Sequence, residues 1–176
     1  PPTFTSGGDG VYPILRHAEM AQKFGLKWMV VTDHGGPLHS VVQRDRAYPA
    51  LLEARDAFPG LKLFYGMEFD TPNADHSTLW IPRTEREAEA LFEIESRFSA
   101  KDAWPEDAGR KTDEFMLEAL RYMSEMPDPP IVIKNHPSRT ARGAGRWGID
   151  KPEKFRRWHD AAPDVFIGFE GAPGHQ

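Results

Sequence analysis

Short apolar runs that each follow a stretch of helical periodicity, and each end on polar residues, constrain this chain more than any other feature. Residues 13–25 begin with Pro13, stop at Gly25 and space Ile14, Leu15, Ala18, Ala21 and Gln22 for one buried helical face. The run 26–31 follows, with Trp28, Met29, Val30 and Val31 consecutive as in a strand covered on both faces, and leads into Thr32, Asp33, His34, Gly35 and Gly36. The rhythm repeats in a helix over 47–57, a Pro59-Gly60 break, and a strand over 61–67 that ends at Glu68. A short strand over 77–81 is entered from Asp75 and His76, and helices are predicted over 85–98 and 112–126. A strand over 131–133 then ends in Asn135, His136 and Pro137, before a helix over 152–161 and a strand over 165–169 that finishes at Glu170.

Alternation of helices with short buried strands predicts an α/β fold with a mostly parallel sheet, open or closed as a barrel. In either form functional groups gather at the carboxyl ends of strands, which is where His34, Glu68, His136 and Glu170 fall. At 176 residues and 39% apolar the chain can bury one sizeable core, so residues 1–176 are expected to form a single domain.

Several classes are excluded early. With no Cys, any metal must be held by His, Asp or Glu, which makes the seven His the informative residues. A net charge of -5 argues against a nucleic-acid partner, because phosphate backbones are held by clustered Lys and Arg. No apolar run is long enough for a membrane span and no leader segment opens the chain, so a cytoplasmic protein without a membrane partner is expected. A nucleotide-binding Gly-rich loop and a nucleophilic-Ser elbow are both missing, and Ser6 to Gly10 reads as a turn before the first helix.

Imidazole and carboxylate together suit zinc, iron or manganese, and hydrolytic clusters use bridging carboxylates to hold two ions around one oxygen nucleophile. Glu68 suits the bridge, since an unpaired charge directly after the apolar run 61–67 would be costly. Alone, Thr32-Asp33-His34 is a weak signal, because a neighbouring carboxylate can simply orient a structural imidazole. His17, His39 and His159 read as structural or exposed, with His39 the nearest to joining the site. Arg139, Arg142 and Arg146 follow His136 on one loop and could clamp an anionic group. The segment 98–113, with Trp104, reads as surface packing in preference to a substrate lid.

Taken in order, Asp9-Gly10, Val31-Thr32-Asp33-His34-Gly35, Gly66-Met67-Glu68, His76-Ser77-Thr78-Leu79 and Asn135-His136-Pro137-Ser138-Arg139 resemble the motifs of the PHP superfamily, named for polymerase and histidinol phosphatase domains. The resemblance implies a distorted seven-stranded β/α barrel of TIM-like type, with up to three metal ions at its strand ends. It implies His34, Glu68, His76 and His136 as metal ligands, two or three ions of zinc, manganese or iron, and a metal-activated hydroxide attacking a phosphoester. Asp33 is then expected to orient His34 from behind, and Arg139 to contact a small phosphoester or related ester substrate. The family's opening His-x-His pair does not occur between Pro1 and Ser6, and its closing Asp-x-His motif does not follow Glu170, so the chain reads as a barrel truncated at both ends. Two rival readings are a non-catalytic barrel serving as a binding or scaffold module, and a nuclease-like role beside a polymerase, which the acidic balance disfavours.

Overall fold

The computed structural model describes residues 12–142, 146 and 148–171. The Asp9-Gly10 step and the turn read over Ser6 to Gly10 lie outside these residues.

Helix α1 (Ile14–Lys23) ends at Gly25, whose φ of 78° supplies the left-handed step that lets the chain turn into β1 (Trp28–Val31). Next come the short helix α2 (His39–Val42), a π-helical turn over Gln43–Ala47, and α3 (Tyr48–Ala57) with its Pro in the first turn, where no N–H is needed. Strands β2 (Lys62–Phe69) and β3 (Ser77–Ile81) precede α4 (Glu87–Phe98) and α5 (Asp113–Ser124). The N-terminus of α5 is capped by Thr112, whose hydroxyl accepts the Phe115 N–H at 3.2 Å, with Asp113 and Glu114 complementing the helix dipole. The described chain closes with β4 (Ile131–Lys134), α6 (Pro152–Ala161) and β5 (Phe166–Phe169).

These strands form one sheet in the order β1-β2-β3-β4-β5. The expected seven-stranded barrel and mostly parallel sheet are therefore corrected: among the described residues the sheet is five-stranded, mixed and open, with β1 and β5 at its edges. The cause lies between Phe69 and Ser77, where the connection is too short to hold a crossover helix, so β3 must return antiparallel to β2. Strand β4 is antiparallel to β3 in turn, which realigns it with β2. Strand β1 is not covered on both faces either, since Trp28 is 56% exposed at the sheet edge.

One face carries the core. Leu63, Tyr65, Met67 and Phe69 of β2, Leu79 and Ile81 of β3 and Val132 of β4 alternate onto it, under Leu51 of α3 and Leu91 and Ile94 of α4. Each such side chain contributes roughly 1.5–3 kcal/mol on burial. The intervening residues, Phe64, Glu68, Thr78, Trp80 and Ile133, point to the other, half-buried face. Below the core, the buried Arg55 guanidinium donates to Leu63 O at 2.8 and 3.0 Å and to the Glu87 carboxylate, tying α3, β2 and α4 together.

Gly66 lies opposite Trp80 of β3, and a Cβ there would lie 2.4 Å from Leu79 O and 3.1 Å from the Trp80 Cα. Both neighbours are backbone and cannot rotate away. Gly66→Ala is expected to lower stability by about 1–3 kcal/mol, read as a lower urea midpoint; an unchanged midpoint would mean that the two strands spread freely.

Candidate metal centre

Strand direction decides what meets at the sheet edge. Strands β1, β2, β4 and β5 all leave the sheet at one edge, and β3 enters there. His34, His136 and Glu170, which follow β1, β4 and β5, Glu68 near the end of β2, and His76, which precedes β3, therefore line up in sheet order as His34, Glu68, His76, His136 and Glu170. Backbone pairing continues into this row: His34 bridges Glu68 in parallel, Glu68 N–H donates to Asp33 O at 2.9 Å, Asn135 N–H to His76 O at 3.1 Å, and Glu170 N–H to Lys134 O at 2.9 Å.

The three imidazoles stand edge to face, with ring centres 5.1 Å apart for His34 and His76 and 5.7 Å for His76 and His136. Glu68 lies between the first two, its Oε2 2.8 Å from Nδ1 of His34 and its Oε1 3.5 Å from Nδ1 of His76. Asp75 lies between the second two, its Oδ1 3.2 Å from Nδ1 of His76 and its Oδ2 3.7 Å from Nε2 of His136. Ligand atoms of His34, Glu68 and His76 all fall within 4.8 Å of one another, as do those of Asp75, His76 and His136. The row thus offers two three-residue sets that share His76.

His76 also shows whether a cation fits. Its Nε2 faces Oδ1 of the buried Asp70 at 3.3 Å, an arrangement in which Nε2 donates to the carboxylate and Nδ1 is the nitrogen open to a ligand. Nδ1 is buried without a hydrogen-bond partner, yet carboxylate oxygens of Glu68 and Asp75 lie close to it. Two carboxylates facing one buried ring nitrogen call for positive charge between them, which a proton on Nδ1 or a bound cation provides. A divalent cation supplies that charge, and a nitrogen and oxygen donor set suits zinc, manganese or iron.

The surroundings hold these groups in place. Asn135 accepts from Thr78 N–H at 3.0 Å and Thr78 Oγ1 at 2.8 Å, and donates to Glu68 Oε1 at 3.1 Å. Lys134 is fully buried and its ammonium donates to Asn135 O at 2.8 Å and His76 O at 3.1 Å while pairing with Asp150 at 3.1 Å. His136 has a φ of 31°, a left-handed conformation that costs a non-Gly residue energy and recurs at functional sites. Burial, with help from Lys134 and Arg139, outweighs Asp75 and Glu68 and lowers the pKa of His136, favouring the neutral ring a metal requires. Burial raises the pKa of Asp70, but hydrogen bonds from His76 and Lys101 outweigh it and the net shift is downward, which keeps Asp70 ionised.

His34, Glu68, His76 and His136 are thus brought together. Burial raises the pKa of Asp33 against the fields of His39, His17 and His34, and the carboxylate on Nδ1 of His34 is that of Glu68 in place of the expected Asp33. The half-exposed Arg139 reaches the row, its Nη1 3.4 Å from both Asp75 Oδ2 and His136 Nε2, whereas Arg142 and Arg146 are exposed. The other imidazoles point elsewhere: His17 is exposed beside Tyr12, His159 meets Phe166 O at 2.9 Å, and His39 meets Glu95 at 2.7 Å. Sequence reasoning missed Asp70, Asp75, Asn135 and Lys134. The available signal was that Asp70 and Asp75 bracket a connection too short to leave the sheet edge.

No family model, curated protein or solved structure matches the chain significantly.

The buried His39–Glu95 pair gives a pH test away from the row. Burial opposes charge on His39, but the Glu95 hydrogen bond and the fields of Glu95, Asp33 and Asp102 outweigh it and raise its pKa above 6.5. The stability this pair contributes through His39 is therefore present below pH 6.5 and lost as pH rises through the folded-state pKa. In an NMR titration His39 should titrate above 6.5, and Glu95→Gln should move it down; a His39 unmoved by Glu95→Gln would contradict this.

Proposed function

We propose that the protein is a metal-dependent hydrolase of phosphoesters or related small esters, holding two or three zinc, manganese or iron ions on His34, Glu68, His76 and His136. The observation that carries this is the buried, partnerless Nδ1 of His76 set between Glu68 and Asp75. Motif order adds the resemblance to the PHP superfamily, and the proposal rests on that order and on the chemistry of the row, independently of any barrel.

A bound divalent cation supplies Lewis acidity toward a phosphoryl oxygen and acidifies water at the site. The remaining work belongs to the chain. Glu68 spans His34 and His76 with its two oxygens, and Asp70 fixes the tautomer of His76. Arg139, half exposed beside His136, is placed to meet the anionic group of a substrate, where a guanidinium fork matches phosphate geometry.

The test is metal content by elemental analysis after loading with zinc, manganese or iron, with hydrolysis of 4-nitrophenyl phosphate measured on the same samples. His34→Ala and His136→Ala should lose both metal and activity, and Asp70→Asn should weaken metal binding by about 10- to 100-fold. A wild-type protein that takes up no metal and hydrolyses nothing overturns the proposal. Stoichiometric metal without hydrolysis would favour a binding module.

A further inference from the structure

Beside the metal row lies a cavity of about 600 Å³, whose wall includes Asp70, Asp75 and His76 together with Lys101, Lys111 and Lys154. The lysines come from three separate places: Lys101 just after α4, Lys111 from the turn before α5, and Lys154 from α6. An ammonium has three N–H donors. Among the described residues Lys101 uses one on Asp70 and Lys111 one on Glu106, while Lys154 uses two, on Asn73 O at 2.8 Å and Asp150 at 3.2 Å. Donors therefore remain on all three for a ligand.

Charge points the same way once the row holds its cation. With Asp70 and Asp75 in the wall and Glu106 and Asp150 paired to Lys111 and Lys154, the three ammonium groups leave one net negative charge, which a divalent cation on His76 turns into one net positive charge. The volume is that of a small-molecule site. Resting on the hydrolase reading above, we infer that this cavity is an anion subsite, and that the substrate is a small molecule with a second anionic group, a carboxylate or phosphate, besides the one at the metal row. The segment 98–113, read from sequence as surface packing, then supplies part of the recognition wall through Lys101 and Lys111; its Trp104 is 72% exposed and packs against little.

Calorimetry with 3-phosphoglycerate, which carries phosphate and carboxylate, and glycerol 3-phosphate, which lacks the carboxylate, tests this on zinc-loaded and metal-free protein. The Lys111 side chain is 48% exposed, so Lys111→Glu should fold normally and bind zinc as the wild type does. It should weaken 3-phosphoglycerate by about tenfold or more, with a smaller effect on glycerol 3-phosphate, and zinc should tighten 3-phosphoglycerate in the wild type. Zinc uptake with equal 3-phosphoglycerate affinity in wild type and Lys111→Glu overturns the subsite. If no zinc is taken up, the hydrolase reading fails, while the dependence of 3-phosphoglycerate binding on Lys111 in the metal-free protein still decides the subsite.

Discussion

The connection from Phe69 to Ser77 contains no helix, and a chain that short can only turn back beside the strand it has left. That reversal places the start of β3 at the same sheet edge as the ends of β1, β2, β4 and β5. Had β3 run parallel to its neighbours, His76 would lie at the opposite edge, a strand's length from His34 and His136. The shared position of His76 in both ligand sets, and the burial of Asp70 against its ring, follow from this one change of direction.

Charge burial around the row is managed by pairing. Asp70 is opposed by Lys101 and His76, Asp150 by Lys134 and Lys154, and Lys134 also satisfies two main-chain carbonyls. Buried charges of this kind are expensive alone and tolerable only with full hydrogen bonding. Against that background Nδ1 of His76 and Oδ2 of Asp70 are buried without a hydrogen bond, and Nδ1 lies between two carboxylates.

Much of this was legible in the sequence, for physical reasons. Periodicity located α1, α3, α4, α5 and α6 but not α2 or the π-helical turn after it, and α6 matches residue for residue because Pro152 at its start leaves little choice of boundary. Strand-end placement found His34, Glu68 and His136, since an apolar run followed abruptly by polar residues marks where a strand meets solvent. Closure of the sheet and direction of β3 were misread, because an apolar run looks the same in either direction and the helical rhythm around it suggested crossovers. Asp70, Asp75 and Lys134 were missed because their roles depend on partners distant in sequence or on the return of the chain, neither of which a local pattern encodes.

Glu68, Asp70, Asp75 and His76 are all carried by a single hairpin, so half of the candidate centre is local in sequence. His34 and His136 come from the ends of β1 and β4, distant in sequence on either side, and bringing them to the hairpin costs chain entropy. A cation shared with His34 would tie β1, an edge strand with Trp28 exposed, to that hairpin. In a chain with no cysteine, the ion would take the place of a covalent staple, acting on the unfolded ensemble as a cross-link does.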